Sequence, residues 1–179
     1  ILLSFTPSNQ VFLKNTIDLP ATADIADMDT YLTYLYILDS KESTIYRYPR
    51  IDGGFGEKTA WLKEKISISA ENSMAINEDL YLAQKNSLTA LSRGKINPWQ
   101  FESSATPIEF SGIFTNSTTA SVYILDTTNK RVIQFEKDGK LQQQYTHEKL
   151  GSASNFIVDE KNRTIYFTVN MEVLAISVE

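Results

Sequence analysis

Short apolar stretches of four or five residues recur along the whole chain, and polar turn residues separate them. Examples are "YLYIL" at residues 34–38, "TIYRY" at 44–48, "SVYIL" at 121–125 and "RVIQF" at 131–135. These stretches are rich in β-branched and aromatic residues, which is typical of strands. Few windows show the sustained 3.6-residue period of a helix. The pattern therefore predicts an all-β chain.

Two landmarks repeat along the chain with nearly the same period. The first is a tyrosine inside an apolar stretch, and its spacings are 45, 42 and 43 residues. The second is the residue that begins the following apolar stretch, with spacings of 43, 44 and 41 residues. Because the two landmarks agree, we expect four structural repeats of about 43 residues. The tyrosines are Tyr36, Tyr81, Tyr123 and Tyr166, and the following stretches begin at Ile45, Leu88, Val132 and Val173.

Each repeat has room for four short strands, called a to d in chain order. In the third repeat we expect them near residues 112–115, 122–125, 131–135 and 140–145. Antiparallel four-stranded units that repeat at roughly 40 to 50 residues are typical of β-propeller blades. We therefore predict an all-β fold, a β-propeller with four-stranded antiparallel blades. The alternative is a β-sandwich, which would not normally keep so regular a period.

The ends of the chain leave the number of blades open. The repeats cover residues 24–62, 70–102, 110–146 and 153–178 of a single propeller domain. The last repeat supplies only strands a, b and c, so we expect residues 11–17 to complete it as strand d and remove its open edge. Residues 1–5 then form a surplus strand. The chain is either a four-bladed propeller or the C-terminal part of a larger one without its N-terminal blades. The surplus strand and the absence of Met at position 1 favour the second.

The third repeat, "VYILDTTNKRVIQFEKDGKLQQQY", resembles an NHL repeat, whose order is apolar strand, Asp, Asn, Arg, apolar strand, Asp-Gly. Asp126 and Asn129 suit the b–c turn, because both side chains can bond to backbone groups there. Arg131 offers a fork of donors that can tie the turn to nearby carboxylates or carbonyls. Gly139 suits the c–d turn, because glycine accepts a positive φ. We therefore predict structural roles for Arg131 and Gly139. The matching residues are Val122, Asp126, Asn129, Arg131, Val132, Phe135, Asp138 and Gly139.

The resemblance weakens in the other repeats. Glu42 and Thr44 stand in the Asn and Arg positions of the first, Gln84 replaces the Asp of the second, and Val169 replaces that of the fourth. The resemblance implies an interaction platform, since NHL-type domains mostly serve as such. Some bind RNA, and one relative is a metal-dependent lyase. The acidic charge and the single histidine of this chain argue against both special cases.

Composition excludes several classes of site and partner. The 179 residues include no cysteine, so disulfides, thiolate metal sites and cysteine nucleophiles are excluded. A net charge of −5 argues against nucleic acid as a partner. No apolar run approaches the roughly 20 residues that span a bilayer, so we expect no membrane insertion by this segment. The compartment stays open, and an extracytoplasmic or membrane-tethered domain is compatible with these features.

Residues with catalytic or metal-binding chemistry are few. His147 is the only histidine, and we interpret it as a loop residue without a partner. The acids of "ADIADMD" at residues 23–29 lack the glycine-containing loop of a calcium motif. The glycines at residues 50–59 do not form a phosphate-binding loop, and we expect a protruding loop there. Trp61 and Trp99 are expected to pack between blades. We predict no catalytic residue, metal or cofactor.

These observations favour a non-enzymatic module that binds a protein, peptide or glycan, as an accessory or sensor domain of a longer protein. Its ligand is expected to contact the b–c and d–a loops, which lie at one end of the blades. The alternative is a carboxylate-based hydrolase or lyase with its site at the propeller channel. Self-association through open strand edges is a further expectation. The binding candidates in these loops are Asp39, Lys41, Glu42, Lys63, Lys65, Gln84, Lys85, Asp126, Asn129 and Lys130.

Overall fold

The computed structural model describes residues 2–6, 8–85, 87–98 and 100–178. The chain divides into two compact units, residues 1–70 and residues 71–179. Both units consist of antiparallel strands joined by short turns, and a 3₁₀ helix, Glu148–Ser152, lies between two sheets in the second unit. The all-β class predicted from the pattern of apolar positions is therefore confirmed.

The first unit contains a hairpin and one five-stranded sheet. Its strands are β1 (Leu2–Thr6), β2 (Val11–Asn15), β3 (Ile25–Tyr31), β4 (Tyr34–Asp39), β5 (Thr44–Ile51), β6 (Gly54–Phe55) and β7 (Thr59–Ala60). Strands β1 and β2 pair with each other, and the sheet order is β3-β4-β5-β6, with β7 also paired to β5. The pairings of β6 and β7 to β5 differ by one residue in register. These two short strands are therefore one outer strand interrupted by a bulge.

The prediction of a protruding loop at residues 50–59 is wrong. Asp52 and Gly53 form a tight turn, and strand pairing resumes at once with Ile51 opposite Gly54. Gly53 and Gly54 have φ values of 80° and 153°, which allow the chain to reverse within two residues. The bulge at residues 56–58 contains the residues that the prediction assigned to the protruding loop.

The second unit contains three antiparallel sheets in chain order. The first has β8 (Ser73–Asn77), β9 (Asp79–Gln84), β10 (Ser87–Ser92) and β11 (Lys95–Ile96). The second has β12 (Gly112–Phe114), β13 (Ser121–Asp126), β14 (Arg131–Glu136) and β15 (Leu141–Thr146). The third has β16 (Asn155–Asp159), β17 (Thr164–Val169) and β18 (Glu172–Ser177). Each is a simple meander, so consecutive strands are neighbours in the sheet.

The four sheets are propeller blades, and the predicted fold class is confirmed. Blade 1 is the sheet of β3 to β7, and blades 2, 3 and 4 are the three sheets of the second unit. The four repeated tyrosines lie on β4, β9, β13 and β17, which is the second strand of each blade. In blade 3 the strands fall within about a residue of the predicted positions. The tyrosine period therefore identified equivalent positions in four equivalent sheets.

The two N-terminal strands pair with each other in a hairpin. Residues 11–17 were predicted to add a strand to the last blade, but Val11–Asn15 pairs with Leu2–Thr6. Asn15 lies buried in this hairpin, where its Nδ2 donates to Ser4 Oγ at 2.8 Å and to the Leu13 carbonyl oxygen at 3.0 Å. Blade 4 has three strands within the described residues. The predicted surplus strand and the predicted strand d therefore pair with each other in one hairpin.

Blade 3 lies between two apolar contacts in the core of the second unit. Alternate residues of a strand face opposite sides of the sheet. Val122 and Phe135 on one side therefore pack in a cluster with Tyr81 of blade 2. Tyr123 and Leu125 on the other side pack in a cluster with blade 4. The blade 4 members of that cluster are Phe156, Val158, Ile165 and Phe167.

Candidate functional site

All ten binding candidates lie in the turns between strands b and c or in the loop that follows the outer strand. We call these segments the b–c loops and the d–a loops. In blade 1 the b–c turn joins β4 to β5, and the chain after β7 returns to the same end, because the Trp61 N–H donates to the Ile45 carbonyl. In blades 2 and 3 the b–c turns join β9 to β10 and β13 to β14. Within each blade, the candidates therefore lie at the same end.

A buried aspartate organises the b–c turn of blade 3. Asp126 has no exposed surface (0%) at the end of β13. Its Oδ1 accepts from the Asn129 N–H at 3.1 Å, and its Oδ2 accepts from Asn129 Nδ2 at 2.8 Å and from Arg131 Nε at 2.9 Å. The turn closes with Lys130 at a φ of 53°, in the left-handed region. Both oxygens of the carboxylate are therefore bonded inside the protein.

Arg131 connects this turn to the d–a loop that leads from blade 2 into blade 3. Its Nη2 donates to the carbonyl oxygens of Thr106 and Pro107, both at 3.1 Å, and its Nη1 donates to Ser104 Oγ at 3.2 Å and Gln144 Oε1 at 2.8 Å. With the ion pair to Asp126, the guanidinium makes a buried network in which every donor direction is fixed. The structure therefore supports the structural role predicted for Arg131.

Gly139 has the turn geometry predicted for it. Its φ is 92°, in the region that favours glycine, and its N–H donates to the Glu136 carbonyl at 2.9 Å. Its carbonyl oxygen accepts from the Glu102 N–H at 2.8 Å. The c–d turn of blade 3 is thus also tied to the loop that precedes the blade.

Blade 1 has the same turn with an incomplete network. Asp39 is also fully buried (0%), and its Oδ1 accepts from the backbone N–H groups of Asp24, Lys41 and Glu42 at 3.2, 3.0 and 3.3 Å. Ser43, in the position of Lys130, has a φ of 47°. However, Oδ2 of Asp39 has no hydrogen-bond partner. The reason is that Glu42 and Thr44 replace the asparagine and arginine that complete the network in blade 3.

A third turn of this type was missed by sequence reasoning. Asp159 ends β16, and its carboxylate accepts from the N–H and the Nδ2 of Asn162 at 2.9 and 2.7 Å. Arg163 has a φ of 49°, as Ser43 and Lys130 do at the same place. The bonds from the Asn162 backbone and side chain hold the pKa of Asp159 below its ordinary value. The spacing Asp-x-x-Asn was the available signal, but this turn joins strands a and b and lies at the other end of its blade.

The remaining charged candidates are directed to the solvent, whereas Gln84 is half-buried and its Oε1 accepts from Ser87 Oγ at 3.0 Å. The candidate lysines at positions 41, 63, 65, 85 and 130 are exposed, and so is Glu42. Lys130 pairs with Glu148 at 2.6 Å, which lowers the pKa of Glu148. Lys85 lies 3.8 Å from Glu109, whose other oxygen accepts from Thr128 at 2.6 Å. The loop end of blades 2 and 3 is therefore a polar surface of alternating charge.

Other residues with suggestive chemistry have structural partners. His147 is exposed at the start of the 3₁₀ helix, and its Nδ1 accepts from the Lys149 N–H at 3.2 Å. Asp24 accepts from Ser40 Oγ at 2.7 Å. Trp61 is buried and packs edge-on against Tyr36 of its own blade, at 5.8 Å between ring centroids. Trp99 lies outside the described residues. Within the described ranges no group of three or more His, Cys, Asp or Glu could hold a metal ion, and no helix has the length and hydropathy of a membrane span.

Comparisons with known proteins place the chain in the β-propeller class. No protein-family model matches it, and no curated protein sequence does. Among solved structures, Kuenenia stuttgartiensis hydrazine synthase matches with a TM-score of 0.61 at 9% identity, over 92% of this chain and 49% of that chain. Virginiamycin B lyase from Staphylococcus aureus matches with a TM-score of 0.56 at 11% identity, over 99% and 62%. The nidogen/laminin complex matches with a TM-score of 0.55 at 16% identity, over 76% and 52%.

At these identities the likeness shows the fold alone. The chain spans about half the length of the hydrazine synthase chain and less than two thirds of the lyase chain. The similar structures include enzymes and a protein that forms a complex with another protein. The fold therefore admits both a binding module and an enzyme.

Proposed function

We propose that this chain is a non-enzymatic propeller module that binds a protein, peptide or glycan through its b–c and d–a loops. The observation that carries the proposal is the division of roles within these loops. Asp39, Asp126 and Arg131 are buried and hold the backbone, while the lysines and their neighbouring acids face the solvent. A loop surface that is fixed before binding loses little conformational entropy when a ligand arrives.

The exposed charges favour a polar or charged ligand. The ion pair of Lys130 with Glu148 and the longer one of Lys85 with Glu109 are solvent-exposed. Such pairs contribute little stability, so a ligand can exchange them at low energetic cost. Charges arranged in this way act mainly on specificity and on the rate of encounter.

We also propose that the chain is related to NHL-type domains. This relation is supported by the side chains of Asp126, Asn129 and Arg131, which meet in one network. The incomplete turn of blade 1 confines this character to blade 3. A role as an accessory or sensor domain of a longer protein follows from the interaction-platform character of such domains.

Array binding tests the proposal directly. The labelled chain is applied to peptide and glycan arrays, and hits are measured by biolayer interferometry with the wild type and a Lys85→Glu/Lys130→Glu variant. We expect the variant to bind at least about tenfold more weakly than the wild type. The matched control is Lys140→Glu/Lys161→Glu, which reverses two exposed lysines near turns at the opposite end of blades 3 and 4. Equal loss in both variants, or arrays without any specific hit, would contradict the proposal.

The alternative is a carboxylate-based hydrolase or lyase. It requires convergent buried acids with free carboxylates, whereas Asp126 is committed to Arg131 and Oδ1 of Asp39 is committed to three backbone donors. The same arrays test it when the spots are analysed by mass spectrometry after incubation. Turnover of a spotted glycan that Asp39→Asn abolishes would favour the enzyme over the binding module.

A further inference from the structure

The single histidine of the chain lies in the loop surface proposed above, at the junction of blades 3 and 4. His147 precedes the 3₁₀ helix Glu148–Ser152, which belongs to the d–a loop that leads from blade 3 into blade 4. Its backbone N–H donates to the Lys130 carbonyl oxygen at 3.1 Å, and Lys130 belongs to the b–c turn of blade 3. His147 therefore connects the two loops.

The imidazole ring of His147 caps the 3₁₀ helix as a hydrogen-bond acceptor. The backbone of this residue is extended, with φ −157° and ψ 135°, as is usual for a residue that precedes a helix. Its Nδ1 accepts from the Lys149 N–H at 3.2 Å, one of the donors that a helix start leaves without a backbone partner. An imidazole nitrogen accepts only when it carries no proton, so this bond requires the neutral ring with its proton on Nε2.

The capped helix carries one partner of an ion pair in the loop surface. Glu148 is its first residue, and the carboxylate accepts from Lys130 Nζ at 2.6 Å. The hydrogen bond from Lys130 and the lysine charge hold the pKa of Glu148 below its ordinary value, and the charge of His147 acts in the same direction to a smaller extent. A charged His147 therefore competes with Lys130 for the same carboxylate.

The elements next to the ring carry charges of both signs. Strand β17 of blade 4 contributes Phe167, an uncharged ring whose centroid lies 5.9 Å from that of the imidazole. Histidine is the side-chain type that changes charge between about pH 5 and 8, whereas lysine, arginine and carboxylate side chains ordinarily keep their charge there. A pH change in this range therefore acts on the imidazole first. The charged groups are Glu148 and Lys149 on the 3₁₀ helix, with Lys130 and the buried pair of Asp126 and Arg131 in the b–c turn.

We propose that His147 is a pH switch for the loop surface of blades 3 and 4, which rests on the binding function proposed above. In the neutral state, Nδ1 caps the helix and Glu148 stays paired with Lys130. In the protonated state, Nδ1 can no longer accept from Lys149, and the imidazolium attracts Glu148 away from Lys130. Lys130 is then free to pair with an acidic group of a ligand. Binding of an acidic ligand therefore strengthens as the pH falls from about 8 to about 5.5.

Hydrogen exchange tests the switch without a ligand. Nuclear magnetic resonance measures the exchange rate of the Lys149 amide with water in the wild type and in a His147→Asn variant. Asparagine caps a helix start at either pH, so the ratio of the two rates removes the intrinsic effect of pH on exchange. We expect a ratio near one at about pH 8, and a rate about threefold or more higher in the wild type at about pH 5.5.

Binding of two acidic probes tests the effect on a ligand. A hexaglutamate peptide and dextran sulfate are measured by biolayer interferometry at the same two pH values, with the wild type, His147→Asn and Lys130→Gln. We expect the wild type to gain about threefold or more in affinity at the lower pH, and both variants to gain less. The probe that shows the gain identifies the ligand class as an acidic peptide or a sulfated glycan.

The switch and the binding function fail in different ways. An exchange ratio that is equal at the two pH values overturns the switch and leaves the binding function intact. Equal gains in affinity for the wild type and His147→Asn also overturn the switch, although the loop surface binds. Absence of binding to both probes at both pH values refutes the release of Lys130 to an acidic ligand, and the peptide and glycan arrays then test the binding function separately.

Discussion

At the scale of single residues, two aspartates in equivalent turns differ in how many of their carboxylate oxygens are hydrogen-bonded. Asp126 and Asp39 both end a second strand, are fully buried and precede a residue with positive φ. Asp126 meets an asparagine and an arginine that satisfy both of its oxygens. Asp39 meets glutamate and threonine instead, and one oxygen has no partner. A buried polar atom without a partner lowers the free energy of unfolding, because its lost hydration is not replaced.

Replacement of Asp126 by alanine tests the buried network of blade 3. The variant leaves Arg131 buried without its carboxylate, so the free energy of unfolding is expected to fall by about 3 to 5 kcal/mol. This exceeds the loss of about 0.5 to 2 kcal/mol that a turn bond alone predicts. Urea unfolding measures the change, with Asp138→Ala in an exposed turn as the control. An unchanged midpoint for Asp126→Ala contradicts the role assigned to the network.

Transfer of the blade 3 residues into blade 1 tests the unsatisfied oxygen of Asp39. In a Glu42→Asn/Thr44→Arg variant, new donors can reach Oδ2, and the free energy of unfolding is expected to rise by about 1 to 3 kcal/mol. Thr164→Arg is the matched control, because it makes the same change beside Asp159, which is already bonded to Asn162. Thermal unfolding of both variants gives the comparison. A destabilised double variant would refute the proposed cause.

The residue types predicted the b–c turn of blade 3, but they could not predict which distant groups its side chains would bond to. The order of Asp126, Asn129 and Arg131 indicated a capped turn from sequence alone. The acceptors of Arg131 at Thr106 and Pro107 lie 25 and 24 residues earlier in a loop without a recognisable pattern. Burial of Asp39 and Asp126 also depends on how neighbouring loops cover them. Both were therefore predicted as ligand contacts, whereas the structure buries both carboxylates and bonds them within their turns.

At the scale of elements, alternation within strands determines how each blade packs. The tyrosine of the second strand is buried in blades 1, 2 and 3, at Tyr36, Tyr81 and Tyr123. Burial raises the pKa of all three phenols. Tyr123 also donates its hydroxyl to Glu160 of the next blade at 2.9 Å. In the second unit, Tyr81 therefore joins blade 2 to blade 3 through ring packing, and Tyr123 joins blade 3 to blade 4 through ring packing and a polar contact.

Alkaline unfolding tests the burial of another tyrosine, Tyr48 on β5. Burial raises the pKa of Tyr48 to about 12 from 10.0, and its hydroxyl donates to the Asp18 carbonyl at 2.8 Å. The unfolded chain thus loses the proton first, so the stabilisation is complete below pH 10 and is lost as the pH rises towards about 12. In Tyr48→Phe, urea midpoints are expected to decline less steeply over this range. A decline as steep as that of the wild type would contradict the assignment.

The predicted elements were accurate where pattern and turn chemistry agreed, as in blade 3. They were less accurate where a short strand left little pattern to see. The two-residue strands β6 and β7 are separated by a bulge, which sequence alternation cannot distinguish from a loop. The 3₁₀ helix Glu148–Ser152 is too short to show a period. The hairpin partner of Val11–Asn15 could not be predicted, because both candidate partners were edge strands.

At the scale of the whole molecule, the net charge of −5 and the exposed lysines of the loops act on a ligand at different distances. The net charge repels an acidic ligand at long range. The lysines attract its acidic groups at short range, where direct ion pairs form. The net charge therefore acts mainly on the rate of encounter, and the loop lysines act mainly on how long the ligand stays bound.

The turn at Asp52 and Gly53 offers a practical point of attachment. Among the described residues, no heavy atom other than those of Gly53 and its two chain neighbours lies within 4 Å of the position that a Cβ on Gly53 would take. This turn joins β5 to β6, so it lies at the opposite end of its blade from Lys41 and the b–c loop. A biotinylated tag inserted between these two residues should immobilise the chain on a sensor chip with the b–c loop of blade 1 directed towards the analyte.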